Sequence, residues 1–194
     1  MNWCDAMVWC NAMTEWYNAK KGTSYECVYT YSGVVIRDSR ETNSTACINA
    51  NAKSTAKGFR LPTLNEWELA ARYRNGTLWT YGDHASGDDS GACWDDGSIL
   101  GGLGISTVFG NYAVYQASSS AEVKTKRANS IGLYDMSGNV WEFCFPLNKL
   151  DSNLCYIRGG GWNGIDEYLR IGSVYSHPRI TPVQDIGFRL TRTH

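Results

Sequence analysis

The sequence has no run of about 18 apolar residues, the length a helix needs to cross a bilayer, so no membrane span is expected. Its start, Met1-Asn2-Trp3-Cys4-Asp5, carries neither the basic region nor the apolar stretch of a signal peptide. An excess of one charge is missing too: 18 Lys+Arg stand against 19 Asp+Glu, a formal net charge of −1. No basic stripe is left to track a phosphate backbone, which excludes nucleic acid as a partner. Proline is scarce at 4 and histidine scarcer at 3, namely His84, His177 and His194. No His-x-x-x-His pair exists to seat a transition metal. The seven cysteines include no Cys-x-x-Cys, so a zinc ribbon or a thioredoxin-like pair is excluded. Cys4, Cys10, Cys27, Cys47, Cys93, Cys144 and Cys155 read as small buried hydrophobes, with room for one or two disulfides. There is no Gly-x-Ser-x-Gly elbow, and Gly101-Gly102-Leu103-Gly104 lacks the spacing and the Lys of a phosphate loop. The residues by themselves show no catalytic constellation, metal site or cofactor site.

What is present is the composition of a packed domain. Hydrophobic residues make up 43% and charged residues 19%, which excludes intrinsic disorder. At roughly 150 residues per domain, the length argues for one domain covering 1–194. Twenty Gly, 8 Trp and 12 Tyr point to many turns and bulky aromatic packing rather than a helical bundle.

Two helices are predicted. The first runs from about Trp3 to Ala19, with Asn2 and Asp5 as an approximate capping box and Gly22 as its stop. Ala6, Cys10, Met13 and Tyr17 recur with helical spacing and predict its apolar face. The second begins in Leu61-Pro62-Thr63-Leu64-Asn65-Glu66-Trp67, where Thr63 is the cap and Glu66 its reciprocal partner. Trp67, Ala70 and Ala71 form its packing face, and Asn75-Gly76 ends it. Residues 26–31 and 33–36 read as a hairpin, while 132–145, 156–161 and 186–191 hold further strands and tight turns. Residues 82–104, rich in Gly, Asp and Ser, read as an ordered surface loop. The class is α+β.

Two acidic groupings invite a calcium reading. Ser137-Gly138-Asn139-Val140-Trp141-Glu142 offers one amide and one carboxylate, short of the six to eight oxygens that calcium takes. A tight turn accounts for it better, with Asn139 bonding its own backbone and Glu142 meeting Arg60 or Arg170. Asp88, Asp89, Asp95 and Asp96 lack any regular loop spacing and read as solvated.

Four ordered segments then converge. Residues 58–72, Gly-Phe-Arg-Leu-Pro-Thr-Leu-Asn-Glu-Trp-Glu-Leu-Ala-Ala-Arg, strongly resemble the signature of the formylglycine-generating (sulfatase-modifying) enzyme superfamily. Residues 129–142, Arg158-Gly159-Gly160-Gly161-Trp162 and Ile186-Gly187-Phe188-Arg189-Leu190 follow in that family's order, and Trp3-Cys4-Asp5-Ala6 resembles its first helix start. The resemblance implies a C-type lectin-like fold of the formylglycine-generating-enzyme subtype, with two helices, short strands and long ordered loops. It also implies that the family's first strands precede residue 1.

The oxidase members of that family carry two cysteines after the Arg-Gly-Gly motif, where they bind copper and activate oxygen. The matching positions here are approximately Gly164 and Leu169, and no cysteine follows Cys155. Without thiolates there is no soft ligand for Cu(I). Lectin-type calcium binding is disfavoured as well, because Trp162-Asn163-Gly164 lacks the family's Asp and neither Glu-Pro-Asn nor Gln-Pro-Asp occurs.

The chain is more similar to the non-enzymatic variable proteins of diversity-generating retroelements, in which the stretch between Arg-Gly-Gly and Gly-Phe-Arg is mutagenised at template adenines. Asn codons can then become many residues, but not Lys, Met, Trp, Glu or Gln. Between Asn163 and Asp185 the chain lacks Lys, Met and Trp; Glu167 and Gln184 are exceptions and are not such products. Within a variable region over 158–190, the candidate ligand-binding residues are Asn163, Gly164, Ile165, Asp166, Tyr168, Ser173, Val174, Tyr175, Ser176, His177, Ile180, Thr181 and Val183. The tyrosines suit rigid contact area and the Gly and Ser residues adaptable hydrogen bonding. Arg158, Gly159, Gly160, Trp162, Arg170, Pro178, Gly187, Phe188 and Arg189 read as fixed frame.

The expectation is a receptor for a protein or other macromolecule, without cofactor or catalysis, displayed at the cell surface or outside the cell as the resemblance implies. The competing readings are an oxidoreductase of the formylglycine-generating family and a structural or chaperone-like adaptor.

Overall fold

A computed structural model describes residues 1–40, 44–90, 108–148 and 150–193. The packing divides the chain into two units. A terminal unit comprises residues 1–63, 143–156 and 176–194, and an inner unit comprises 64–142 and 157–175.

The terminal unit starts with α1, Trp3–Lys21, closed at both ends as its sequence dictates. Asn2 Oδ1 accepts from the Asp5 amide at 3.0 Å, while the Asp5 carboxylate accepts from the Asn2 amide at 2.8 Å. These bonds satisfy two donors that a helix start otherwise leaves orphaned. Gly22, at φ 65°, ends the helix in the left-handed conformation and returns its N–H to the Asn18 carbonyl.

The buried face of α1 is not the one its hydrophobicity predicts. It comprises Trp3, Cys4, Ala6, Met7, Cys10, Asn11 and Thr14, whereas Met13 and Tyr17 are only half-buried. At 100° per residue the face is rotated by roughly a fifth of a turn from expectation. The cause is two polar residues that work inside. Asn11 donates to the Tyr29 and Ile36 carbonyls at 2.8 Å each and accepts from the Tyr29 amide. Thr14 Oγ1 donates to the Cys10 carbonyl and accepts from the Phe59 amide at 2.8 Å.

Asn11 thereby fastens α1 to a hairpin of β1 (Tyr29–Tyr31) and β2 (Val34–Val35), shorter than expected and turned through Ser32 and Gly33, both at positive φ. A helix not anticipated from sequence, α2 (Ser44–Ile48), precedes β3 (Asn51–Ala52), and the sheet order is β2-β1-β3, antiparallel throughout. Strand β4 (Phe59–Arg60) pairs with the last strand of the chain, Thr191–Arg192. Trp3 stacks on Phe145 at 5.7 Å, Tyr29 meets the same ring at 5.2 Å, and the Trp3 indole donates to the Cys144 carbonyl. Burying one such ring, ~200 Å², contributes about 5 kcal/mol gross at ~25 cal/mol per Å².

The inner unit opens with α3, Leu64–Arg72, which Thr63 precedes as expected. Trp67 and Ala71 are buried and Ala70 half-buried. A 3-10 turn at Phe109–Asn111 leads to β5 (Ala113–Val114), parallel to β6 (Ser137–Gly138). Ala85, Phe109, Ala113 and Leu169 form one apolar cluster. The described part of the expected surface loop, 82–90, is not superficial. Ala85, Ser86, His84 and Asp88 are buried, because Ser86 Oγ donates to the Ala71 carbonyl and the Ser86 amide donates to Ser137 Oγ. The rest of that loop lies outside the described residues.

The remaining strands are β7 (Trp141–Leu147), β8 (Leu154–Arg158), β9 (Tyr175–Pro178), β10 (Ile186–Gly187) and β11 (Thr191–Arg192). Four of them form one sheet in the order β10-β7-β8-β9, and a second short helix not anticipated from sequence, α4 (Asp166–Leu169), lies between β8 and β9 in the chain. Among the described residues no helix is long and apolar enough to cross a membrane.

Candidate ligand-binding site

Strand β8 delivers Arg158, and the next two residues turn the chain. Gly159 and Gly160 sit at φ 94° and 79°. A Cβ on Gly160 would stand 2.7 Å from the Leu169 side chain, so the position admits nothing larger than glycine. Arg158 then ties the returning segment together. Nη1 donates to the Ile171 and Ser173 carbonyls at 3.0 and 3.3 Å, and Nη2 donates to Glu68 Oε2 at 2.7 Å. Its guanidinium also lies 5.7 Å from the Trp67 ring. Backbone bonds hold the next residues: the Trp162 amide donates to the Asn139 carbonyl at 2.7 Å, and Gln116 and Ala117 donate to the Gly164 and Trp162 carbonyls.

On this frame the inner unit carries the first eight candidate positions, 163–166, 168 and 173–175. Leu169 and Ile171 are fully buried, while Asn163 is exposed and Ile165, Tyr168 and Val174 are 45%, 38% and 42% exposed. Gly164, Ser173 and Tyr175 are half-buried. Asp166 opens α4; its side chain lies outside what the structure describes. Tyr168 and Tyr175 meet edge to face at 5.3 Å, and both approach Trp141, at 6.3 and 5.1 Å. Burial, then the Glu167 charge, pushes the Tyr175 phenol up, so it stays a neutral hydrogen-bonding group. The two tyrosines thus form a partly open surface, backed by Trp141, which is itself buried. Trp141 is the member that the sequence places only in the tight turn of residues 137–142, with nothing there to link it to the tyrosines.

In the terminal unit, β9 alternates, with Ser176 and Pro178 exposed and His177 half-buried. Asn148 donates to Ser176 Oγ at 3.1 Å, His177 Nε2 lies 3.1 Å from the Thr181 carbonyl, and Cys155 Sγ lies 3.2 Å from the His177 carbonyl. Ile180 and Thr181 are exposed and Val183 half-buried. Between them Arg179 is buried, its amide donating to the Asn153 carbonyl and its Nε to the Ser152 carbonyl.

The acidic groupings depart from expectation at Asn139 and Asp88. Asn139, at φ 66°, accepts from the Ala121 amide at 3.0 Å rather than serving its own turn. Glu142 Oε2 accepts from the Trp67 indole at 2.6 Å, and Arg170 bonds the Glu167 carbonyl and carboxylate. Those indole and backbone partners lie far apart in sequence or carry no charge, so a search for ion pairs passes over them. Asp88 is buried and accepts from Ser90, whereas Asp89 pairs with Arg74 at 3.6 Å; Asp95 and Asp96 lie outside the described residues. His84 is buried, with Nδ1 2.9 Å from Asp83. Among the described residues no group of three or more His, Cys, Asp or Glu could hold a metal ion.

The six described cysteines are all free thiols, so none forms an expected disulfide; Cys93 lies outside the described residues. Of the two positions matching the oxidase cysteines, Gly164 is half-buried and Leu169 wholly buried in apolar surroundings. Neither residue offers a donor atom to copper, and the group does not fit here.

Comparison with known proteins places these observations. The sulfatase-modifying factor enzyme 1-like domain matches residues 1–194. A chaperone protein LppX from Paenibacillus barcinonensis is 28% identical over 84% of this chain, and the formylglycine-generating enzyme of Streptomyces coelicolor is 35% identical over 66%. The chain spans 57% and 40% of the length of these two relatives. Among solved structures, Treponema denticola variable protein 1 superposes with a TM-score of 0.74 at 27% identity, covering 98% of this chain and 68% of that one.

Proposed function

This chain belongs to the sulfatase-modifying factor enzyme 1-like domain family, and we propose that within it the chain is a non-catalytic receptor whose C-terminal segment is diversified. Its fold is α+β and C-type lectin-like, of the formylglycine-generating-enzyme subtype. One observation carries the reading. From Asn163 to Val183 none of the candidate residues with a described side chain is buried, while the interleaved Leu169, Ile171 and Arg179 are.

Exposed positions accept replacement within about 0.5 kcal/mol, half-buried ones such as Tyr175 and Val183 cost more, and buried ones several times more. A segment built this way tolerates randomisation best at its exposed candidates and resists it at Leu169, Ile171 and Arg179. Tyr168 and Tyr175, backed by buried Trp141, supply rigid, amphipathic contact area for a protein or other macromolecular ligand. Likeness to a variable protein supports a retroelement origin and display at the cell surface.

The test is genetic. The coding DNA for residues 158–190 is sequenced in independent lineages, and the flanking DNA is searched for a reverse transcriptase gene beside a near-copy of that segment. The expected mismatches fall at template adenines within codons 163–183, with Arg158, Gly159, Gly160, Arg170, Pro178 and Gly187 constant. No near-copy, or changes spread evenly over candidates and frame, overturns the reading. The identity to a formylglycine-generating enzyme favours an oxidoreductase as the second reading. Copper-dependent oxygen consumption with a thiol peptide would establish it and defeat the receptor.

A further inference from the structure

The outward face of α1 carries an apolar stripe. Trp9 and Trp16 are 51% and 55% exposed, large values for tryptophan, and with Val8, Ala12 and Met13 they line a groove of about 440 Å³. Trp9 is steadied from the side by Phe188, at 6.2 Å between ring centroids. The stripe is bounded on the same helix face by Asp5 towards its N-terminus and exposed Lys20 towards its C-terminus. At 1.5 Å per residue these two charges lie about 22 Å apart along the axis, one beyond each tryptophan.

This order reads the same way from both ends in size and is opposite in charge. We propose that α1 pairs antiparallel with α1 of a second copy of this chain, about a two-fold axis passing between Ala12 and Met13. In that register Trp9 of one copy faces Trp16 of the other, Ala12 faces Met13, and Asp5 faces Lys20. Small Ala12 beside adaptable Met13 lets the axes approach at the crossing, and the tryptophans close the seam on either side. Each Asp5–Lys20 pair occurs twice, as an isologous interface requires. The antiparallel arrangement also sets the positive N-terminal end of each helix dipole beside the negative C-terminal end of its neighbour. A parallel pair would instead bring like charges together at both ends. Charge complementarity therefore selects both the partner and its direction.

Sedimentation of the whole chain from low micromolar to sub-millimolar concentration tests this, at low and at high salt. The expected result is a concentration-dependent dimer. Trp16→Glu weakens it by about 100-fold or more, since it removes one of the two large apolar anchors and places a carboxylate in the apolar seam. Lys20→Glu weakens it by about tenfold at low salt and less at high salt, because the introduced carboxylate faces that of Asp5. Lys57→Glu changes net charge equally at an exposed site off the helix and leaves the dimer unchanged. Circular dichroism confirms that each variant is folded; if Trp16→Glu is not, the comparison of Lys20→Glu with Lys57→Glu decides. A monomer at every concentration overturns the proposal and leaves the stripe to another segment or partner. A dimer indifferent to Trp16→Glu, or weakened equally by both Lys variants, overturns it too.

Discussion

Arg158 and Glu68, 90 positions apart, meet at 2.7 Å between Nη2 and Oε2, with the guanidinium side chain only 3% exposed. Glu68 Oε1 also accepts from Arg72 at 2.8 Å, so one carboxylate serves two guanidiniums. The same Arg158 holds the Ile171 and Ser173 carbonyls, and the pair thereby fixes the backbone on which Tyr168, Val174 and Tyr175 stand.

Removing either partner loosens that backbone. Arg158→Ala leaves Glu68 with Arg72 alone and takes the donor from two carbonyls, at an expected cost of about 1–3 kcal/mol, below a fully buried pair because Glu68 keeps one guanidinium and is partly solvated. Urea unfolding of the variant against wild type reads it directly. An effect within the error of the midpoint would mean the pair is ornamental.

The same carboxylate sets a pH dependence. Burial pushes the Glu68 carboxyl up, but hydrogen bonds from Arg72 and Arg158 outweigh it and leave the group below the 4.5 of a free glutamate. Its contribution is thus present above that value and is lost as pH falls through the lower folded-state value. Glu68→Gln is expected to lower stability at neutral pH and to lose less of the remainder on acidification below about pH 4.5. Thermal melts at stepped pH check the slope.

Tyr168 and Tyr175 separate binding from folding. Each aromatic pair adds about 0.5–1.5 kcal/mol, and half-buried Tyr175 makes the closer contact with Trp141. Tyr175→Ala is therefore expected to lower the melting temperature more than Tyr168→Ala, with both still folded. On the receptor reading the double variant loses its ligand, identified by screening the displayed wild-type chain. Binding that survives the double change would put the site elsewhere.

Two left-handed glycines have different costs. Gly22, at φ 65°, has open space where a Cβ would stand, so Gly22→Ala loses about 1 kcal/mol of conformational preference. Gly138, at φ 78°, would drive a Cβ into the Val114 carbonyl between two paired strands, so Gly138→Ala costs about 3 kcal/mol or more. Equal unfolding midpoints would refute the distinction.

Thiol accessibility provides a check on the core. Burial pushes Cys10 and Cys155 up to about 12. Both are expected to stay unalkylated by iodoacetamide at pH 8 in the native chain and to react in urea, as peptide mass spectrometry would show. Native labelling at either site would contradict the packing of the terminal unit.

Local rules read from the chain hold where the interaction is itself local. The Asn2–Asp5 box, the Gly22 cap and the start of α3 after Thr63 each depend on residues within a few positions, and all stand where expected. The inward face of α1 departs from its hydrophobic pattern for the opposite reason. Asn11 and Thr14 look polar and therefore outward until the hairpin carbonyls and the Phe59 amide that bond them are in place. The same blindness hid the Trp67–Glu142 bond and the burial of His84, Ser86 and Asp88.

The candidate site divides along that line. Sequence alone determined the family, the ordered motifs and the missing cysteines after Cys155, and it names the candidate segment, because each is a matter of residue identity and spacing. Only the tertiary structure decided which members of that segment face solvent, that Trp141 joins the tyrosines, and that α1 turns two tryptophans outward. Exposure depends on which distant group occupies the other side of a residue, and no spacing along the chain encodes that.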